Sequence, residues 1–431
     1  MNRLPVSLTA DAERQVRAGH PWVFDRSITR VKGVGQAGDL GMVFDRKKNK
    51  LMAIGLYDPE SPIRLRIIHR GGPVTVDRLF WQQKLESALQ TRRSVNHQLH
   101  LLPEPLLAQQ PPVDIEHTKP ATKHTLEYQD KPRVSGWRVI HGENDGFPGL
   151  VVDHYAGTLV IKVYSAIWIP WFDLLVSLLL EQFDATAIVL RLSRQLQKQP
   201  DLPKEWKDGQ IIYGTLQDEE VVFEEYGLLF KANPIKGHKT GFFLDHRHNR
   251  KRVGELAKGK RVLDLFSYVG GFSVHALAGG ASEVVSVDIS KQAQAQAVEH
   301  IELNELDTGK HRAMVGDVFE LLRKLRDKGE RFDIIISDPP SFAKRANERE
   351  RALKAYRRLA QFVIPLIKPN GIYLAASCSA RVSSEDFFSL QEAALAKSGR
   401  AYKELEKHYH DFDHPIGFKE GAYLKAIYYA L

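Results

Sequence analysis

The stretch VLDLFSYVGGFSV, residues 262–274, decides the fold. It opens as a short apolar strand and closes as the start of a helix. Between them stand Gly270 and Gly271. Such glycines let the backbone turn tightly and approach a ligand before the helix begins. The pattern is not G-x-G-x-x-G, so the pyrophosphate cradle of a dinucleotide site is missing. Working outward, the chain from residue 260 alternates strands with helices. Strands are predicted at 261–266, 283–288, 312–316, 333–337 and 371–377. Helices are predicted between them, for example at 291–303 and 318–328. Runs such as Ile334–Ile336 are apolar at every position. That implies burial on both faces, hence a parallel sheet in a doubly wound α/β domain.

Ligands of open α/β sheets sit at the carboxyl ends of the strands. The first strand carries Asp264 and runs into Phe266, Ser267 and Gly270. The second ends at Asp288, where a carboxylate can accept hydrogen bonds from ribose hydroxyls. The third is followed by Asp317, which could meet an adenine amino group. The fourth ends in Asp338-Pro339-Pro340-Ser341-Phe342, and the fifth in Ser377-Cys378-Ser379. Taken alone, Asp288 and Asp317 read equally well as helix N-caps. Taken together, the strand ends have the spacing of class I S-adenosylmethionine (SAM) dependent methyltransferases. That resemblance implies SAM as cofactor, held by Asp264, Phe266, Ser267, Gly270, Asp288, Asp317 and Asp338.

The rest of the chain divides into three expected domains, at 1–78, 79–218 and 219–431. The first eighty residues hold short β-rich runs broken by glycine, which suggests a small β-barrel. A helix follows at about 76–95. Residues 97–135 are rich in proline and glutamine and then polar, as in a flexible insertion. Strands at 150–153, 159–164 and 187–192, with a helix near 171–183, outline a central α+β domain. Residues 194–210 read as a loop.

Composition is that of a globular protein, 43% hydrophobic and 26% charged. One cysteine, Cys378, excludes an intramolecular disulfide, and the N-terminus lacks the apolar core of a secretory signal. The most apolar window, 160–180, is interrupted by Lys162, Pro170 and Asp173, which argues against a membrane span. A cytoplasmic protein is expected. The net charge of +8 favours an anionic partner. Basic residues cluster at 344–358 and 246–252, on either side of the strand-end motifs. Each cluster fits an RNA-facing surface or a solvated helix face.

Six motifs in order resemble the PUA-domain-containing family of 23S rRNA (cytosine-5) methyltransferases. They are GHPWVF (19–24), HGENDGFPGLVVD (141–153), HKTGFFLDHRHNR (238–250), DPPSF (338–342), SCS (377–379) and DHPIGFKEGAYLK (413–425). The resemblance covers nearly the whole chain, except that 97–131 departs from the compact family pattern. It implies an N-terminal PUA β-barrel that binds RNA, a central domain that helps grip it, and a C-terminal transferase. The partner would be 23S rRNA, free or in the large-subunit precursor, with no metal, and the family mildly suggests a homodimer.

Carbon 5 of cytosine is too weak a nucleophile to take a methyl group directly. A thiolate adding at carbon 6 turns the ring into an enamine, which explains a role for Cys378 as nucleophile. Asp338, while protonated, would hydrogen-bond the ring and stabilise the adduct. Pro339, Pro340, Phe342 and Arg247 are the expected substrate contacts. Lys239 and Arg247 could also meet SAM or phosphate. Phe242 and Phe243 are either site aromatics or core. Two other readings stay open. One is methylation of a guanine or adenine nitrogen through Asp-Pro-Pro, which needs no cysteine. The other is a non-catalytic RNA-binding scaffold.

Overall fold

Seven strands form the C-terminal sheet: β1 (Arg261–Leu265), β2 (Glu283–Asp288), β3 (His311–Val315), β4 (Phe332–Ser337), β5 (Ile367–Ser377), β6 (Lys403–His408) and β7 (Lys425–Ala430). Their order is β3-β2-β1-β4-β5-β7-β6. The first five are parallel, as expected. The last two correct the all-parallel expectation. β7 runs antiparallel to both β5 and β6, so the sheet is mixed. No crossover helix separates β6 from β7, and a strand that returns without one pairs antiparallel.

The computed structural model describes residues 1–96, 134–343 and 345–431. The expected insertion, apart from its last two residues, lies outside the described residues.

Six helices accompany the sheet: α1 (Arg247–Leu256), α2 (Gly271–Ala278), α3 (Lys291–Leu303), α4 (Val318–Asp327), α5 (Arg349–Val363) and α6 (Ser384–Lys397). Helix α4 shows how the sequence builds one. Asp317 caps it by accepting from the backbone N–H of Glu320 at 3.1 Å. Val318, Leu321, Leu322 and Leu325 recur at helical spacing and are buried, while Lys324 and Arg326 complement the dipole at its end. Removing such a cap costs about 1 kcal/mol.

The N-terminal residues form a six-stranded sheet with a helix at Ala10–Arg17. The central domain is a five-stranded sheet in the order Gln210–Gly214, Ala187–Leu192, Thr158–Val163, Leu150–Tyr155, Gly136–His141. Its first and last strands in sequence were not among the predicted ones, and the last begins where the predicted loop 194–210 ends. Trp81, Leu85 and Leu89 of the helix Arg78–Asn96 join the core of this sheet with Trp168 and Trp171.

Buried polar bonds tie the three parts together. Glu143 of the central domain accepts from Trp22 Nε1 at 2.8 Å and Arg66 Nη1 at 2.9 Å. Arg92 forks onto Asp145 at 3.0 and 2.7 Å and reaches the backbone carbonyl of Asp413 at 3.0 Å. Arg247 of α1 donates to Asp413 Oδ2 at 3.0 Å and to the Gly136 carbonyl at 2.9 Å. The segment 411–425 thereby docks the central domain beside the C-terminal ends of the sheet.

Candidate functional site

The strand order brings the five predicted strand ends into one row. Asp317, Asp288 and Asp264 belong to one half, and Asp338 and Cys378 to the other.

The turn after β1 is held open by its own backbone. Phe266, Tyr268 and Gly270 have φ of +59°, +48° and +77°. A side chain at Gly270 would also meet Ala297 of α3, at 2.6 Å from its Cβ. Only glycine serves there. Ser267 accepts from Gln294 Nε2 at 2.7 Å. Asp288 holds the turn from the next strand: Oδ2 accepts from the Tyr268 N–H at 2.9 Å and Oδ1 from the Ser290 N–H at 2.8 Å. Asp264 is buried, with Oδ2 accepting from Ser273 Oγ at 2.7 Å. Its Oδ1 is buried without a partner. Burial, with Asp338 and Asp288 nearby, pushes its carboxyl up to about 7. Ile289, beside Asp288, is 76% exposed. The orphaned acid oxygen, the open turn and the bare apolar side chain together fit SAM, which brings an ammonium, a ribose and an adenine face. The sequence reading missed Ile289, because one exposed isoleucine has no signature of its own.

At the other half, β4 and β5 deliver the Asp-Pro-Pro turn and the cysteine to one point. Cys378 Sγ lies 3.8 Å from the Pro339 carbonyl oxygen. Pro339 is buried and Pro340 exposed. Burial pushes the Cys378 thiol up to about 12, and Asp338 and Asp245 add to it while Lys239 opposes. The loop after the thiol is pinned by Lys425 of β7, whose Nζ donates to the carbonyls of Ser379 and Val382, both at 2.6 Å. Burial lowers this lysine to about 8. Phe342, expected on the substrate, packs its ring 4.9 Å from that of Tyr356 and is half-buried against the core.

Two expectations are corrected. Arg247 cannot meet substrate or SAM from where it stands, because it is fully buried. Its ion pairs with Asp413 and Asp411, at 3.0 and 3.4 Å, satisfy it internally. The basic cluster 246–252 is likewise largely turned inward. Arg250 is buried in a fork onto Glu225 at 2.6 and 2.7 Å, and Arg252 pairs with Glu406 at 2.6 Å. The two phenylalanines separate: Phe242 is core, while Phe243 is half-buried with Lys239 Nζ 5.4 Å from its ring centre.

A cavity of about 460 Å³ opens beside this half of the site. Arg66 of the N-terminal domain, Arg138 and Tyr164 of the central domain, and Lys239, Phe243 and Tyr423 line it. Asp245 also lines it, accepting from Tyr423 Oη at 2.9 Å. Asp245 and Lys239 on its wall both act on the charge of the Cys378 thiol, which places the cavity near the thiol. No sequence signal marked Asp245 or Tyr423 beyond their membership in two motifs.

Comparison with known proteins agrees with this geometry. Residues 138–427 match the family described as S-adenosylmethionine-dependent methyltransferases, and residues 6–70 match a PUA-like domain. The chain belongs to the SAM-dependent methyltransferases. Its cofactor is SAM. A "Ribosomal RNA large subunit methyltransferase" of Deinococcus radiodurans is 42% identical over 99% of this chain and 97% of its own length. A "Ribosomal RNA large subunit methyltransferase I" of Tolumonas auensis is 34% identical over 98% of both. A putative SAM-dependent methyltransferase from Streptococcus mutans shares the fold, with a TM-score of 0.77 at 20% identity over 99% of this chain and 100% of that one. A second solved structure, with a TM-score of 0.78 at 20% identity over 100% of both chains, carries SAH. Among the described residues, no helix of this methyltransferase is long and apolar enough to cross a membrane.

Proposed function

We propose that this methyltransferase makes 5-methylcytidine in large-subunit rRNA through a covalent adduct on Cys378. The observation that carries the reading is the 3.8 Å approach of the Cys378 thiol to the Asp-Pro-Pro turn. A nitrogen methyltransferase has no use for a thiol at that point. The rRNA substrate is taken from the printed names of the two relatives, and the cavity shared by all three domains suits a single-stranded RNA segment. RNA bases are read there by stacking and edge contacts rather than through a groove. Tyr164 and Phe243 offer stacking faces, and Lys239 a phosphate contact.

Asp264 would hold the ammonium end of SAM, Asp288 the ribose, and Ile289 the adenine face, with Ser267 and Gly270 shaping the turn. Asp317 remains the candidate for the adenine amino group. Bound SAM supplies an electrophilic methyl group on its sulfonium. The target cytosine, flipped from its stack, enters between Cys378 and Asp338. Sulfur bonds to carbon 6, and the thiol's proton ends on ring nitrogen 3, beside Asp338. Carbon 5 is now nucleophilic and takes the methyl group. Nitrogen 3 and carbon 5 then each lose a proton, and the carbon–sulfur bond breaks with the electron pair and one of those protons returning to Cys378 while the other passes to solvent. The test is transfer of tritiated methyl from SAM into protein-free 23S rRNA and intact large subunits, with wild type and Cys378→Ala. Label on cytosine carbon 5 that is lost in a variant still binding SAM supports the reading. Label on a ring or exocyclic nitrogen, retained in the variant, sinks it.

A further inference from the structure

Helix α1 starts with a histidine that the sequence reading left without a role. His246 stands immediately before α1, and its side chain is 7% exposed. Its Nε2 is buried without a hydrogen-bond partner of good geometry and lies 3.4 Å from Asp338 Oδ1. The ring is packed edge-on against Phe272, with centres 5.7 Å apart.

The other ring nitrogen settles where the proton sits. His246 Nδ1 is 3.1 Å from Asn249 Nδ2. An amide nitrogen only donates, so Nδ1 must accept. The amide is held in that orientation from its far end, where Oδ1 accepts from Tyr428 Oη at 3.1 Å and lies 2.9 Å from His408 Nδ1. The proton of neutral His246 is therefore on Nε2, pointing toward Asp338.

We infer that His246 is a positioning residue for Asp338: Asn249 selects its tautomer, and its Nε2–H engages Oδ1 so that Oδ2 is left for the target base. The inference rests on Asp338 meeting that base, as in the reading above. A buried carboxyl that must meet a planar ring needs a fixed orientation, and outer partners of this kind commonly set it. The groups facing His246 are Asp338 after β4, Asp245 on the same segment, Arg250 one turn into α1, and His410 from the C-terminal segment. Burial lowers His246, but the two carboxylates outweigh it and the net direction is up. Asn249 works against a second proton, since a protonated Nδ1 would face its N–H.

The experiment uses the full-length protein. SAM binding is measured by calorimetry, and kcat and KM for rRNA across pH, for wild type, His246→Ala, His246→Gln, Asn249→Asp and Asp338→Asn. Expected is a kcat about 10- to 100-fold lower in His246→Ala, with SAM affinity within about twofold. His246→Gln, whose amide can donate to Oδ1, recovers part of that loss. Asn249→Asp accepts from Nδ1–H and keeps the bond to Tyr428, so Nε2 carries a proton only in the doubly protonated ring, and kcat falls as pH rises through a range where wild type keeps it. The inference is overturned if His246→Ala keeps its kcat, if the glutamine gives no recovery over alanine, or if the Asn249→Asp profile overlays the wild type. Should His246→Ala fail to bind SAM, the glutamine variant referred to wild type and the Asn249→Asp profile decide by the same criteria. Failure of the cytosine reading is seen separately, in the product that wild type makes. The His246 comparison is then read on that product against Asp338→Asn.

Discussion

The sulfur of Cys378 lies 3.8 Å from the carbonyl oxygen of Pro339, so the ends of β5 and β4 meet at the thiol. In the free protein this thiol is protonated at neutral pH, since burial pushes it up to about 12. Alkylation by iodoacetamide should be slow at pH 7 and rise about tenfold per pH unit up to pH 10. The chain has no other cysteine, so the label reports this site alone. Fast alkylation with a midpoint near pH 8 would contradict the burial argument.

Asp264 gives the cofactor half its own pH dependence. Its carboxyl is pushed up to about 7 by burial and by Asp338 and Asp288. The ionised form is the one that holds an ammonium. SAM affinity should therefore rise as pH goes from 6 to 8, and Asp264→Asn should flatten that rise and weaken binding. Calorimetric titration at several pH values checks both.

Glu225 should govern acid stability. Burial opposes its ionisation, but the Arg250 fork and the contact with His275 hold it at about 2 against an ordinary 4.5. A folded value below the unfolded one means that the stabilisation is fully present above pH 4.5. It is lost as pH falls from 4.5 toward 2, and amounts to about 3 kcal/mol. Urea unfolding of wild type should weaken over that window, and Glu225→Gln should weaken less. Arg247→Ala should cost about 3–5 kcal/mol at pH 7, because Asp413 and Asp411 stay buried without the guanidinium that balances them.

Phe243 and Tyr164 test the cavity. Alanine at either should weaken single-stranded RNA binding by about 1–3 kcal/mol per stacked base, read by fluorescence anisotropy. SAM affinity should not change.

The parallel half of the sheet was legible because β1, β2, β4 and most of β5 are apolar runs that tolerate no other placement. β6, Lys403–His408, was not, since it is an edge strand with mostly exposed charged residues and reads as loop. Gln210–Gly214 was missed because it is a five-residue edge strand, mostly exposed, that follows directly on the polar loop. Strand-end residues could be read because parallel strands fix which end faces the ligand. Arg247 could not: in sequence it is one cation in a basic run, and its partner Asp413 stands 166 residues away. His246 shows the same limit, for its meaning lies in Asn249, Tyr428 and Asp338, which only the fold assembles.

The covalent adduct on Cys378 is tested most directly with 23S rRNA transcribed with 5-fluorocytidine. Fluorine at carbon 5 cannot leave as a proton does, so the final elimination stalls. Wild type with SAM should give a protein–RNA complex that survives denaturation, with the RNA on the peptide containing Cys378, and Cys378→Ser should give none. Methyl transfer that proceeds to a nitrogen, with no such complex formed, would contradict the account.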